Sequence, residues 1–148
     1  MAILPIIIGQ DNPLLRTKTK KVGAMTKEVQ KLAKDMAETM MEANGVGLAA
    51  PQVGSDLRLC LVPINGIARA LIDPEITWKS EETSIDEEGC LSLPGVFLPI
   101  TRSTAVTIKY TDIKGAPQER RLEGFEARVA QHETDHLDGV LIVDYEAS

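Results

Sequence analysis

The sequence predicts an α+β domain whose strands pair mostly in antiparallel fashion. Apolar residues recur at helical spacing between residues 26 and 44, and short apolar or alternating runs broken by Pro, Gly and Asp follow from residue 57 to about 110. Helical spacing then returns after Gly124. Because helices and strands are segregated along the chain, the pattern favours an α+β fold over a βαβ array.

The first predicted helix has a plausible start and stop. Thr26 is a candidate N-cap and Asn44-Gly45 a candidate stop. Between them the apolar positions form one broad stripe, which predicts a helix packed on the core: Val29, Leu32, Ala33, Met36, Ala37, Met40 and Met41.

The middle of the chain predicts several strands. Residues 57–62 and 68–72 are short apolar runs, and Val106, Ile108 and Tyr110 alternate with polar residues. A turn at Lys114-Gly115 then leads to residues 118–122, which we expect to complete a hairpin.

Length and composition limit the class of protein. The 148 residues suit one domain over positions 1–148, and 43% hydrophobic residues are enough for a core. A net charge of −6 argues against a broad nucleic-acid interface, and the basic cluster Arg16, Lys18, Lys20 and Lys21 is typical of a solvated loop. With two cysteines and no long apolar segment, we expect a cytoplasmic protein that does not bind membranes.

The last predicted helix carries the strongest chemical signal. It contains both histidines of the chain in the pattern H-E-x-x-H, His132-Glu133-Thr134-Asp135-His136, with Gly139 as its stop. Positions i and i+4 lie one turn apart, so both imidazoles can reach one metal ion while Glu133 points beside it. The alternative is a helix whose histidines bind nothing; apolar neighbours on that face, Phe125, Val129 and Leu137, argue against it.

A catalytic metal usually takes three protein ligands, so two histidines are not enough. Cys90, between Gly89 and Pro94, suits an irregular turn that presents its thiol, although a lone cysteine is more often a plain buried thiol. Cys60, in the middle of a predicted strand, is interpreted as such a thiol. The segment GVGLAAPQVG, residues 45–54, permits close backbone approach to a ligand and offers the Gln52 amide, but alone it is more typical of a simple turn between a helix and a strand.

Three segments together, GVGLAAPQ, EGCLSLP and QHETDHLDG, closely resemble the signature motifs of the peptide deformylase family, GxGLAAxQ, EGCLS and QHExDHLxG. The resemblance implies antiparallel sheets packed around the metal-bearing HExxH helix, and hydrolysis of the formyl group from N-formylmethionyl nascent peptides. It makes Cys90, His132 and His136 the metal ligands and Glu133 the acid/base. The oxyanion donors that it implies are the Gln52 amide and the Leu91 backbone N–H.

The same resemblance suggests how the substrate and the metal are bound. The backbone of Val46, Gly47 and Gly89 is the candidate edge for an extended peptide. Val129 is the candidate lining of a methionine pocket, with an ordinary core role as the alternative. One divalent ion is expected, with Fe²⁺ as the native ion and Zn²⁺, Ni²⁺ or Co²⁺ also suited to a His₂Cys site.

Family members commonly continue into a further C-terminal helix, whereas this sequence stops at Ser148, so a short form is expected. We therefore expect a monomer that associates with ribosomes weakly at most. Two other functions stay open at this point. H-E-x-x-H also marks zinc proteases, which usually draw a His or Glu as third ligand. A catalytically silent peptide-binding module would keep the metal for stability alone, but intact Glu133 and Gln52 argue against such decay.

Overall fold

Two α-helices and seven β-strands form the regular structure of residues 2–145, the part of the chain that the computed structural model describes. The helices are α1 (Lys27–Glu42) and α2 (Gly124–Leu137). The strands are β1 (Leu48–Ala49), β2 (Leu59–Ile64), β3 (Ile67–Lys79), β4 (Thr83–Cys90), β5 (Leu93–Ser103), β6 (Ala105–Thr111) and β7 (Pro117–Glu123). Short 3₁₀ turns cover Pro13–Arg16, Ala50–Val53 and Ile142–Tyr145. The predicted α+β class with antiparallel strands is confirmed.

Helix α1 begins and ends as its sequence predicts. The Thr26 hydroxyl oxygen accepts the Val29 backbone N–H at 3.2 Å, which satisfies one of the free N–H groups of the first turn. After Glu42 the chain turns at Asn44, whose φ of 57° lies in the left-handed region that asparagine tolerates. Neither helix in the described part of the chain is long and apolar enough to cross a membrane.

The strands form two antiparallel sheets. One has five strands in the order β1-β2-β3-β6-β7, and the other is the hairpin of β4 and β5. Asn65 and Gly66 connect β2 to β3 with φ of 53° and 77°. A two-residue Asn-Gly turn with both φ positive matches the twist of the strands that it joins, and so fixes their register.

Strand β2 is buried on both faces of the five-stranded sheet. Leu59 and Leu61 pack with α1, whereas Cys60 and Val62 pack with residues of α2. Since successive side chains of a strand point to opposite faces, the two helices lie on opposite sides of this sheet. The continuous apolar run in β2 is the sequence signature of that double burial.

Strands β3 and β4 differ from the expected pattern. Residues 68–72 are only the start of β3, which continues to Lys79 through a register shift after Ile72. Asp73 lies at this register shift with φ 53°, and its carboxylate accepts hydrogen bonds from the backbone N–H groups of Val22 and Gly23. Strand β4 is mostly exposed, so it lacks the apolar alternation by which strands are recognised.

Candidate metal centre

The two histidines lie on consecutive turns of α2. Their ring centroids are 5.0 Å apart, as expected for positions i and i+4 on one helix face. His136 is 1% exposed and Glu133 4%, so this part of the helix faces the interior. Phe125, predicted for the same buried face, is 59% exposed because it lines an open cavity beside the helix. That part of the prediction is wrong.

Cys90 reaches the histidines from the end of β4. Its Sγ lies 3.3 Å from His136 Nε2, and one potential ligand atom from each of Cys90, His132 and His136 lies within 4.8 Å of the other two. Instead of an irregular turn, Cys90 is the last residue of a strand, and the turn that follows is Leu91-Ser92. The hairpin therefore holds the thiol across from α2.

Glu88 connects the hairpin to the first histidine. Its carboxylate lies 2.9 Å from His132 Nδ1, and this contact leaves Nε2 of the same ring free for another partner. Arg102 of β5 donates hydrogen bonds to both oxygens of the Glu88 carboxylate at 2.9 and 3.0 Å, and Arg128 of α2 donates to Oε2 at 2.6 Å. Glu88, Arg102 and Arg128 are all buried, and Asp135, which accepts a hydrogen bond from Arg102 Nη1 at 2.6 Å, supplies the second negative charge.

Neither Glu88 nor its two arginines were assigned a role from the sequence. Alternation in a strand places Glu88 on the same face as Cys90, two residues later, and this signal could have identified it. Helical spacing likewise places Arg128, four residues before His132, on the histidine face of α2. For Arg102 the sequence offers no comparable signal, because the pairing of β5 with β4 decides its partner.

Gln52 lies beside Cys90. Its Nε2 is 3.7 Å from Cys90 Sγ and donates to Ser92 Oγ at 3.1 Å, while its Oε1 accepts the Ala49 N–H at 2.9 Å. Leu91, the other predicted oxyanion donor, follows Cys90 in the turn and lines the same cavity. The structure thus brings both predicted donors to the cysteine.

The predicted substrate-binding residues surround the cavity. At Gly47 a Cβ would lie 2.6 Å from Glu133 Oε2 and 2.8 Å from Val129 Cγ1, so any side chain there would displace the acid or the valine. A Cβ at Gly89 would meet the Phe97 ring at 2.6 Å. Val129 is 5% exposed yet belongs to the cavity wall, and Val46 is 54% exposed at its edge.

The cavity has a volume of about 450 Å³, which suits a side chain with its flanking backbone. Residues from the loop after α1, from the β4–β5 hairpin and from α2 contribute to its wall. Within the described chain, Glu133 Oε1 and His136 Nδ1 are buried without a hydrogen-bond partner. Glu133, which belongs to the cavity wall, therefore presents an unsatisfied acceptor where a ligand would bind.

Burial and neighbouring groups shift the pKa values of His132, Glu133 and His136. Burial lowers the pKa of His132, but the neighbouring Cys90 and Glu88 outweigh that effect and raise this pKa to about 10. Burial lowers the pKa of His136 well below its usual value, so this imidazole is neutral and able to act as a ligand. Burial also raises the pKa of Glu133 to about 7, the range in which a carboxyl group both accepts and returns a proton.

The sequence model described as polypeptide deformylase matches residues 3–148. The chain belongs to this family. A peptide deformylase from Dictyoglomus thermophilum is 50% identical over 133 residues, which cover 90% of this chain and 86% of that protein. Membership in the deformylase family makes the chain an enzyme and confirms the resemblance predicted from the three motifs.

Solved deformylase structures share the fold. The peptide deformylase from Thermotoga maritima superposes with a TM-score of 0.93 at 43% identity, covering 97% of both chains. A class I type b peptide deformylase from Acinetobacter baumannii, solved with Met-Ala-Ser bound, superposes with a TM-score of 0.92 at 35% identity, covering 97% of this chain and 98% of the other.

Proposed function

We propose that this deformylase removes the formyl group from the N-terminal N-formylmethionine of nascent peptides and releases formate. One observation carries the proposal: ligand atoms of Cys90, His132 and His136 lie within 4.8 Å of one another, and Cys90, His132 and Glu133 line the same cavity. A His₂Cys set with a free buried carboxylate beside it suits metal-assisted hydrolysis. The Met-Ala-Ser bound to the Acinetobacter baumannii enzyme supports a peptide occupant for this cavity.

The donor atoms fit a metal ion. Ligand bonds of about 2.0 and 2.3 Å around a tetrahedral centre separate nitrogen and sulfur by about 3.5 Å. The separation of 3.3 Å between Cys90 Sγ and His136 Nε2 is close to that value. We infer that the centre of α2 is the metal-binding element and that both sheets pack around it in one catalytic domain. When bound, a divalent ion acidifies water and polarises the formyl oxygen.

Glu133 moves the protons. Its unpartnered Oε1 is available to the attacking water, and a pKa near 7 lets the carboxylate take the water's proton and later protonate the departing amine. Gln52 and the Leu91 N–H lie beside Cys90, where they can donate to the oxyanion that develops on the formyl oxygen. The peptide extends along Val46, Gly47 and Gly89, and the methionine side chain lies against Val129.

An assay with three peptides tests this proposal. The purified chain, loaded with metal, should hydrolyse formyl-Met-Ala-Ser, whereas acetyl-Met-Ala-Ser and unblocked Met-Ala-Ser should stay intact. Cleavage of a peptide bond in any of them would indicate a metallopeptidase. Binding of all three without any turnover would indicate a silent peptide-binding module.

The identity of the metal is a separate proposal. His₂Cys ligation suits Fe²⁺, Zn²⁺, Ni²⁺ and Co²⁺, and we propose Fe²⁺ as the native ion. Elemental analysis of protein purified without oxygen tests this, since an excess of zinc over iron would contradict it. We further propose that the enzyme works in the cytoplasm as a monomer.

A further inference from the structure

Gln52 and Ser92 are joined by a side-chain hydrogen bond across 40 positions of sequence. Gln52 Nε2 donates to Ser92 Oγ at 3.1 Å, and both residues are buried, at 2% and 0% exposed. Ser92 follows Leu91 in the turn after Cys90. The bond therefore ties the glycine-rich loop to the turn that carries the other predicted oxyanion donor.

The orientation of the Gln52 amide is fixed by its partners. The Ala49 backbone N–H can only donate, so the atom 2.9 Å from it must be the carbonyl oxygen of Gln52. Nε2 must then face Ser92 and Cys90. Of its two hydrogens, Ser92 Oγ takes one, and the other faces Cys90 Sγ, 3.7 Å away, where a bound ligand could accept it instead.

The backbones of the same two residues are held by one short segment near the N-terminus. The Ile7 N–H donates to the Gln52 carbonyl at 2.7 Å, and the Gly9 N–H donates to the Ser92 carbonyl at 3.0 Å. Residues 7–9, Gln52 and Ser92 thus form a closed ring of hydrogen bonds. We call this ring the brace.

We propose that Ser92 is a positioning residue that aims the Gln52 amide at the reacting oxygen, and that residues 7–9 keep the two oxyanion donors in register. This inference rests on the proposed deformylation. An oxyanion donor acts through its alignment with the developing charge, so a loose donor loses rate without losing substrate binding. None of the brace hydrogen bonds involves Cys90, His132 or His136, so we expect the metal to stay bound without them.

Ser92→Ala tests the proposal, because it removes the hydroxyl and leaves a small buried side chain. We expect kcat for formyl-Met-Ala-Ser to fall roughly 10- to 100-fold, less than the 10²–10³ typical of deleting a donor outright, with KM within about twofold. Metal content should not change. Ser103→Ala, which removes a hydroxyl bonded to the Ser80 carbonyl away from the site, should keep full activity.

A double-mutant cycle separates positioning from general damage. If Ser92 acts through Gln52, Ser92→Ala should change kcat less than about twofold in a Gln52→Ala background. Equal losses in both backgrounds, no loss in either, or loss of metal would each overturn the proposal. If the wild-type chain itself does not deformylate, the proposed function fails instead.

Ile7→Pro tests the backbone part of the brace, since proline has no N–H to donate to Gln52. Like Ser92→Ala, Ile7→Pro should lower kcat. Ile8→Pro is the matched control, because in the described residues the exposed Ile8 donates no hydrogen bond through its N–H. If Ile8→Pro lowered kcat as much as Ile7→Pro, the backbone part of the brace would be refuted.

A readout independent of activity is the side-chain amide of Gln52 in ¹⁵N NMR spectra, assigned by its absence in Gln52→Ala. In the wild type its protons should exchange slowly with water, and in Ser92→Ala exchange should accelerate at least tenfold. An unchanged exchange rate in Ser92→Ala would contradict a positioning role whether or not the chain is an active deformylase.

Discussion

In the proposed mechanism, separate residues carry out metal binding and proton transfer. Glu133 is adjacent to His132 in sequence, but its buried Oε1 has no partner among the described residues. The proposed ligand group consists of Cys90, His132 and His136. The two roles should therefore be separable by substitution.

Replacing Glu133 with Gln should leave the metal bound and lower kcat by roughly 10²–10⁴, the usual contribution of a general acid/base. Cys90→Ala and His136→Ala should lose the metal. Metal content by elemental analysis and turnover of formyl-Met-Ala-Ser measure the two effects. A metal-free Glu133→Gln protein, or one with near-normal kcat, would contradict this division.

The buried position of Glu133 also predicts a pH dependence of stability. Burial raises its pKa from 4.5 to about 7, so the fold prefers the protonated carboxyl. Its stabilising contribution is complete below about pH 4.5, declines as pH rises and is gone above about pH 7. As the pH rises, the metal-free Glu133→Gln variant should therefore become more stable than the metal-free wild type. The difference in the free energy of unfolding should reach up to about 3 kcal/mol. Urea unfolding between pH 4.5 and 8 measures this; a difference that does not vary with pH would exclude it.

Among the elements, the β4–β5 hairpin does more than present Cys90. Through Glu88 it also orients His132, and Arg102 and Arg128 hold that carboxylate from β5 and α2. Burial opposes ionisation of Glu88, but the hydrogen bonds from His132 and Arg102 lower its pKa to about 2. The hairpin and α2 are thus joined through one buried ionised group.

Glu88→Gln should weaken both the fold and the metal site. It leaves buried Arg128 without a counter-charge and Arg102 with Asp135 alone, which should lower the free energy of unfolding by about 3–5 kcal/mol. Loss of the carboxylate on His132 should lower metal affinity by roughly 10- to 100-fold. Urea unfolding and a chelator titration measure the two effects.

Glu119→Gln is the matched control for Glu88→Gln. Glu119 pairs with Lys109 at 3.8 Å, and more than half of each side chain is exposed. An exposed pair of this kind contributes at most about 1 kcal/mol. Equal stability of the two variants would show that the Glu88 cluster does not hold the fold together.

The surface of the whole molecule bears on its partners. Much of the basic cluster predicted to be a solvated loop is neutralised: Arg16 pairs with Asp144 at 2.6 Å and Lys20 with Asp56 at 3.3 Å. The net charge of −6 gives no general attraction to RNA. The described surface thus supports the expectation of weak binding to ribosomes.

Ribosome binding should accordingly be weak and sensitive to salt. In co-sedimentation at physiological salt, less than a stoichiometric amount of the chain should pellet with ribosomes, and the fraction should fall as salt increases. Replacing Lys18 and Lys21 with Gln should change that fraction little. Tight stoichiometric pelleting that these substitutions abolish would assign docking to the basic cluster.

The sequence by itself determined the features that local spacing encodes. Helical periodicity and the Thr26 cap predicted α1, and H-E-x-x-H placed two imidazoles on one face of α2. The three motifs predicted the family, because each is a contiguous run of residues.

Only the tertiary structure decided which distant residues meet. The length of β3, the exposed strand β4, the Glu88–Arg102–Arg128 cluster and the brace between Gln52 and Ser92 all depend on partners 14 to 83 positions away or on strand pairing. Periodicity can indicate the face on which a residue lies but not its partner, since a buried charge or amide is specified by what packs against it and not by its neighbours in the chain.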